Sequence, residues 1–265
     1  AVRYDYYDVC ADLMREATFQ QIYDWAEEHG IQTTGHVLGE ETLASQSRYN
    51  IDIMRQFSAF HLPGIDHLGN GIGSLDAKIC SSAAHNYGRD IVNSESFGAC
   101  GWGMTMEPLI KISNWLYQQG VNQHMMHGFY YSIRNERKND WPPSYFYQWQ
   151  DWDLIPQYAD MAARMSYMLQ GGVTETELLV YYPVETFWQH FQPDFEQQIS
   201  FFKDGPAVRD EKAQFINDQF QLLCSTLLNK NLDFEIFNSD AAKNFRVEGK
   251  ALVNSLTGAR YTVLV

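Results

Sequence analysis

The stretch DIVNSESFGACGW, from Asp90 to Trp102, decides the fold class. Its first residues, Asp90 to Asn93, are predicted to form a short buried strand, and a polar, glycine-rich run from Asn93 to Gly98 follows directly. Helices are predicted on either side, over Ala77 to Tyr87 and over Pro108 to Gln119. A short strand between two helices is typical of a parallel α/β sheet, which carries its functional residues at the carboxyl ends of its strands.

The same alternation continues in both directions along the chain. Repeated helix and strand units of this kind predict a (β/α) barrel of the TIM type, of which residues 1–172 would be the C-terminal part. The predicted helices are Tyr4 to Glu27, Ile51 to Phe60 and Ile155 to Leu169, and the predicted strands are Ile31 to Leu38, Pro63 to Leu68 and Val121 to His127.

A second unit is predicted after the pair Gly171-Gly172. Residues 173–265 would form the start of a Rossmann- or flavodoxin-like α/β domain, without a GxGxxG motif that would indicate a nucleotide. The chain opens on a helix and closes on a strand, so we expect a longer parent chain whose other domains are its partners. The elements of this unit are a helix over Lys212 to Leu228 and strands over Leu178 to Tyr182, Phe234 to Phe237 and Tyr261 to Val265.

Composition and charge exclude several classes of function. The formal net charge of −14 disfavours binding to nucleic acid or to an anionic membrane, because both need clustered Lys and Arg. No apolar run reaches the roughly 20 residues of a membrane span. The four cysteines form no CxxC pair, and HExxH, P-loop and GxSxG motifs are missing, so zinc, nucleotide and serine-hydrolase chemistry are disfavoured.

Three glutamates stand at the ends of predicted strands: Glu40, Glu41 and Glu95. Paired carboxylates at the carboxyl edge of a sheet can act as acid and base across a glycosidic bond, whereas any single glutamate could be a solvated surface residue. Side chains alternate along a strand, so Glu40 would share a face with His36 if the strand extends beyond Gly39. That argument slightly favours Glu40 and leaves Glu41 open.

Other polar and aromatic residues near the strand ends could bind sugar hydroxyls or stack on sugar rings. The alternative is ordinary packing, and Asp66 alone is weak evidence for a cation such as calcium. Long loops such as Ile133 to Asp153 are commonly binding elements. The candidate substrate-binding residues are His36, Asp66, His67, Trp102, His127, Tyr130, Tyr131 and Trp141.

The order of these motifs resembles glycoside hydrolase family 106, the α-L-rhamnosidases. The resemblance covers most of the first two-thirds of the chain and, more loosely, the second domain. It is carried by the helix opening at Tyr4-Asp5-Tyr6-Tyr7 and by GHVLGEE at Gly35 to Glu41, GIDHLG at Gly64 to Gly69, KICSSAAH at Lys78 to His85, SESFGACGW at Ser94 to Trp102, and HGFYYS at His127 to Ser132.

The resemblance implies an exported, multidomain enzyme, extracellular or periplasmic, that cleaves terminal α-L-rhamnosyl linkages of plant or microbial polysaccharides with inversion. It also implies calcium near the sugar, and catalytic carboxylates on Glu95 and on one residue of the Glu40-Glu41 pair. Two alternatives remain at this point: a non-catalytic carbohydrate-binding relative, and a β-galactosidase-like barrel glycosidase.

Overall fold

A curled, four-stranded parallel sheet forms the centre of the first part of the chain. The computed structural model describes residues 2–69, 71–192 and 208–265. The strands lie in chain order, each parallel to the next, so the predicted parallel α/β sheet is confirmed and its extent is that of half a barrel. They are β1 (Thr34–Gly35), β2 (Leu62–His67), β3 (Asn93–Ser96) and β4 (Gln123–Met126).

Helices alternate with these strands along the chain, as the sequence predicts. The predicted helix Tyr4 to Glu27 is continuous, but a π-helical segment, Arg15–Gln20, separates its two α-helical parts. The predicted helix Ile51 to Phe60 is much shorter. The helices of this part are α1 (Val2–Met14), α2 (Gln21–Glu28), α3 (Leu43–Tyr49), α4 (Ile53–Phe57), α5 (Asp76–Asn86), α6 (Met106–Gln118) and α7 (Ile155–Leu169).

The first strand is shorter than the sequence predicts. The expected strand over Ile31 to Leu38 is reduced to the two residues of β1, and the chain turns at Gly39, whose φ is +73°. A Cβ at this glycine would overlap the Tyr49 ring, so Gly39 allows both the left-handed backbone and the close packing of the turn. The face alternation expected from His36 to Glu40 therefore does not apply.

A second, three-stranded parallel sheet follows in the order β10-β5-β6. It contains β5 (Leu178–Tyr181), β6 (Glu235–Phe237) and β10 (Val263–Leu264), with α8 (Val184–Trp188) and α9 (Glu211–Asn229) after β5. An antiparallel sheet that the sequence analysis missed is formed by β7 (Phe245–Glu248), β8 (Ala251–Asn254) and β9 (Arg260–Tyr261). The predicted final strand is thus divided between β9 and β10.

Helix α5 joins the two parallel sheets. It packs against β2 on one side and β6 on the other, and all its residues except His85 are buried. Ser82 Oγ accepts the Ile236 N–H at 2.9 Å, and Asn86 Nδ2 donates to Ile236 O at 2.8 Å, so helix side chains satisfy the edge of β6. One buried apolar cluster includes residues from both sides of Gly172. The domain boundary at Gly172 stays a prediction.

Local sequence accounts for the starts of several helices. Thr42 accepts the Ser45 N–H at the start of α3, and Asp52 accepts the Arg55 N–H at the start of α4. Such N-caps satisfy backbone donors that have no partner within the helix. Among the described residues, no helix combines the length and the apolar character that a membrane span requires.

Candidate active site

His36, Asp66 and Glu95 converge at the carboxyl edge of the first sheet. One nitrogen or oxygen atom from each of them lies within 4.8 Å of those of the other two. Asp66 and Glu95 are register partners on β2 and β3, so their side chains leave the sheet on the same face. His36 directly follows β1, on the other side of β2. The sheet therefore brings together three residues that are far apart in sequence.

His36 connects Glu95 to the end of β1. Its Nε2 lies 2.8 Å from Glu95 Oε2, and its Nδ1 lies 3.1 Å from the carbonyl oxygen of Val37. The ring is thus held between the Glu95 carboxylate and the backbone that follows β1. The two side chains are 33% and 34% exposed, so a ligand can reach the pair.

Asp66 carries an oxygen, Oδ1, that is buried and has no hydrogen-bond partner. Burial raises the pKa of Asp66 above its ordinary value, and the negative charge of Glu95 raises it further, against the opposing effects of His36 and His127. A buried oxygen without a partner is costly. The site is therefore suited to a group that would satisfy it, such as a sugar hydroxyl or a cation.

Glu40 is buried, and both of its carboxylate oxygens accept backbone N–H groups. Oε1 accepts from Val37 at 3.2 Å and Oε2 from Asp66 at 2.9 Å. Burial raises the pKa of Glu40 well above its usual range, and the charges of Asp76 and Asp66 add to this effect, although the two N–H groups oppose it. Glu40 thus contacts the backbone of the site rather than its open face.

Glu41 differs from its neighbour in exposure. The residue as a whole is exposed, although partial burial of its carboxyl group raises the pKa of Glu41, with smaller contributions from Asp76 and Asp66. A carboxyl group that is accessible and has a raised pKa is the type that can hold a proton for general acid catalysis. Within the Glu40-Glu41 pair, this description fits Glu41.

His127 and Tyr130 follow β4 and lie beside the cluster. The His127 ring packs against Gly98, where a Cβ would lie 3.0 Å from two ring atoms, and its Nδ1 is buried without a partner. Tyr130 meets this ring edge-on at 6.2 Å and donates to Asp140 O at 2.7 Å. Burial raises the pKa of Tyr130, with contributions from the charges of Asp140 and Glu95, which places it in the electrostatic field of the site.

The predicted stacking aromatics are at the surface. Tyr131 is fully exposed, and Trp102 and Trp141 are about half exposed. The aromatic loop, residues 133–153, contacts the loop after β3, since Trp141 O accepts the Ala99 N–H at 3.2 Å. Other rings of the aromatic loop, including those of Tyr145 and Trp149, are buried, so packing explains part of that loop.

Comparison with known families identifies the family of this chain. The family model of the alpha-L-rhamnosidases, glycoside hydrolase family 106, matches residues 1–201. The chain belongs to this family. The match spans all the site residues described above and confirms the resemblance seen in the sequence motifs.

A solved structure supports the fold of this rhamnosidase-family chain. A rhamnosidase from Novosphingobium sp. PP1Y superposes with a TM-score of 0.70 at 20% sequence identity, over 98% of this chain and 23% of that one. Identity at this level shows the fold alone. The chain spans about a quarter of the length of this neighbour. A comparison with curated protein sequences found no match.

His67, a predicted site residue, lies away from the cluster of His36, Asp66 and Glu95. It is buried on the opposite face of β2, with its ring 5.1 Å from that of Trp115 on α6. Its Nε2 lies 2.9 Å from Gly71 O, and its Nδ1 lies 3.6 Å from the Asp76 carboxylate. His67 therefore contacts the loop and the helix after β2 and does not join the cluster of His36, Asp66 and Glu95.

Asn93 is a residue near the site that the sequence analysis did not single out. It lies two residues before Glu95 on β3, hence on the same face. Its Nδ2 donates to Thr34 Oγ1 at 2.6 Å, while its Oδ1 is buried without a partner. The sequence could have predicted this position, because residues two apart on a strand share a face.

The donor set fits calcium in part. Ca²⁺ takes six to eight oxygen ligands, and Asp66 and Glu95 supply carboxylate oxygens, one of them buried and without a partner. The His36 nitrogen is a ligand preferred by transition metals. Asp66 and Glu95 are therefore the residues that could hold Ca²⁺, with further oxygen ligands from water or a sugar.

Proposed function

We propose that the full-length protein hydrolyses terminal α-L-rhamnosyl linkages. The observation that carries the proposal is the convergence of Glu95, Asp66 and His36 at the carboxyl edge of parallel strands, in a chain of the alpha-L-rhamnosidase family. Carbohydrate is the proposed ligand because two carboxylates and an imidazole meet at this edge, and exposed aromatic rings lie in the segments that follow β3 and β4. A location outside the cytoplasm stays a prediction.

In the proposed reaction Glu95 is the general base and Glu41 the general acid. Glu95 takes a proton from a water that attacks the anomeric carbon, and Glu41 gives its proton to the glycosidic oxygen as that bond breaks. The raised pKa of Glu41 and its accessibility support the acid role. His36, in contact with Glu95, would orient the carboxylate.

Inversion is also part of the proposal. An inverting pair needs about 6.5 to 9.5 Å between its carboxyl groups, to leave room for the water. Asp66 and Glu95 have oxygens within 4.8 Å, so Asp66 is too close to be the acid partner of Glu95. Asp66 instead suits a hydroxyl group or Ca²⁺, and the ion, when bound, would supply positive charge that orients sugar hydroxyls.

Substrate contacts complete the proposal. His127 and Tyr130 stand beside Glu95 and Asp66 and offer polar groups to the sugar. The exposed rings of Trp102, Tyr131 and Trp141 offer stacking surfaces. His67 would act indirectly, through the loop that follows β2.

A panel of aryl glycosides incubated with the full-length protein tests the proposal. Hydrolysis of the aryl α-L-rhamnoside, with the inverted anomer released first by NMR, is expected. Release of the retained anomer would refute the inverting mechanism, and a preference for β-galactoside would refute the substrate. Rhamnose binding without turnover of any glycoside would indicate a non-catalytic carbohydrate-binding relative.

A further inference from the structure

The Glu40 carboxylate occupies the edge of β2 at the point where the ladder with β1 stops. On this edge the Leu62 N–H donates to Thr33 O at 3.0 Å, and alternate N–H groups along a strand point in the same direction. Asp66 lies four residues further along, where β1 has already ended at Gly35. Its N–H donates to Glu40 Oε2 at 2.9 Å. The side chain thus replaces a strand carbonyl.

The other oxygen of this carboxylate holds the chain next to His36. Oε1 accepts the N–H of Val37, the following residue, at 3.2 Å. One side chain therefore fixes the backbone beside His36 and the backbone of Asp66, two of the three members of the cluster. Glu40 is 3% exposed, so its own carboxylate is poorly placed to contact a substrate.

The backbone of Glu40 is itself held in place. Gln46, which is fully buried on α3, donates from Nε2 to Glu40 O at 2.5 Å. The Gln46 Oε1 in turn accepts the hydroxyl of Tyr182, which follows β5. The position of Glu40 is thus set by Gln46 on α3 and, through it, by Tyr182 after β5. A positioning group must itself be held in this way.

We propose that Glu40 is a positioning residue of the active site, whose carboxylate stands in for the missing part of β1 and holds His36 and Asp66 in register with Glu95. The role rests on the proposed hydrolysis, and it differs from the acid role proposed for Glu41. It accounts for the different environments of two adjacent glutamates.

The Glu40→Gln variant of the full-length protein tests this role with a series of aryl α-L-rhamnosides of increasing leaving-group pKa. Glutamine keeps the shape, but its NH₂ group faces a backbone N–H and cannot accept it. We expect kcat to fall about 10- to 100-fold by misplacement, with KM changing less. The factor should be the same for every leaving group, because proton donation is intact.

Two kinetic results would overturn the proposal. A loss that grows with leaving-group pKa would show that Glu40 itself donates the proton, since poor leaving groups depend most on the acid. An unchanged kcat would show that the Glu40 carboxylate does not position the residues that catalyse the reaction. If Glu40→Gln does not fold, Gln46→Met is the second variant, because it removes the donor to Glu40 O and has a similar volume. We expect kcat to fall by a smaller factor that is the same for every leaving group. An unchanged kcat in Gln46→Met would also overturn the proposal.

A crystal structure of the variant separates this proposal from the proposed function. We expect His36 Nε2 and Glu95 Oε2 to move apart from their 2.8 Å contact. If the contact is retained in Glu40→Gln, the positioning role is wrong, whatever the substrate. If it is lost but the wild-type protein hydrolyses no rhamnoside, the positioning role stands and the proposed reaction fails.

Discussion

Asp66 and Glu95 occupy matching positions on neighbouring parallel strands, so two carboxylates point from one face of the sheet with oxygens within 4.8 Å. Burial raises the pKa of Asp66, and the charge of Glu95 raises it further, so the ionised form of Asp66 destabilises the folded state at neutral pH. Such local destabilisation is typical of functional sites.

Asp66→Asn removes one of these charges and keeps the shape. We expect a higher melting temperature at pH 7, together with a loss of kcat/KM of about 10²-fold or more if Asp66 binds the sugar or its cation. The gain in melting temperature should vanish at low pH, where wild-type Asp66 is protonated. Thermal unfolding at several pH values and rhamnoside turnover measure both effects; a variant that is less stable at pH 7 would contradict this account.

Gly98→Ala should disturb His127. The added Cβ would lie 3.0 Å from two atoms of the imidazole and 3.0 Å from Leu68 Cδ2, so the ring must move. We expect a reduced affinity for rhamnose and a destabilisation of about 1–3 kcal/mol from overpacking. Gly103→Ala is the matched control, because a Cβ there meets nothing within 4 Å. Equal rhamnose affinities in the two variants, measured by calorimetry, would exclude His127 from the binding site.

Arg55→Met should strongly destabilise the protein. The guanidinium is 4% exposed and pairs with Asp8 on α1, Asp52 at the start of α4 and Asp240 after β6. Burial raises the pKa of Asp52 to about 6, although Arg55 lowers it, so removing the arginine leaves a buried carboxylate uncompensated. Chemical unfolding should show a loss of about 3–5 kcal/mol.

Arg246→Met is the control for that variant. Arg246 is 53% exposed and pairs with Glu248 at 2.7 Å on the surface, so its loss should cost less than about 1 kcal/mol. Similar losses in the two variants would show that burial of the Arg55 network contributes nothing.

His85 and Glu235 should give a pH-dependent link between α5 and β6. Their side chains pair at 3.0 Å, near the pair of Lys78 and Asp233. Burial alone would lower the pKa of His85, but the Glu235 carboxylate outweighs it and raises that pKa; burial alone would raise the pKa of Glu235, but His85 and Lys78 lower it. The stabilisation is therefore complete between about pH 4.5 and 6.5, the ordinary values of the two groups.

Outside that window the link weakens: above it as the pH rises through the pKa of folded His85, and below it as the pH falls through that of folded Glu235. We expect His85→Gln to cost about 3 kcal/mol within the window and less at alkaline pH. His29→Gln, at the exposed position directly after α2, is the control. Unfolding free energies that differ by the same amount at every pH would contradict the ionic link.

The sequence predicted those features that depend on local periodicity. The helix Ile155–Leu169 has the predicted bounds, and β2 and β5 differ from prediction by a residue at one or both ends. The sequence also placed Glu95, Asp66 and His36 near strand ends, and the structure brings their side chains together because parallel strands have their carboxyl ends at one edge. The roles of these residues stay predictions.

Features that depend on contacts distant in sequence were not predictable in this way. The end of β1 depends on the packing of Tyr49 against Gly39 and on the bond from the Asp66 N–H to Glu40, neither of which has a local pattern. Two other misses had a local signal: His67 directly follows Asp66 on β2 and so lies on the opposite face, and Gly249-Lys250 joins β7 to β8 as a two-residue turn.

Turnover of an aryl α-L-rhamnoside by full-length Glu95→Gln tests whether Glu95 is the catalytic base of this site. Glutamine preserves the shape but cannot accept the proton of the attacking water, so kcat should fall by at least about 10² to 10⁴ while the fold and rhamnose binding persist. Glu41→Gln, assayed beside it, should lose most activity on poor leaving groups; if it does not, Glu41 is not the acid. Near-normal turnover by Glu95→Gln would contradict the account.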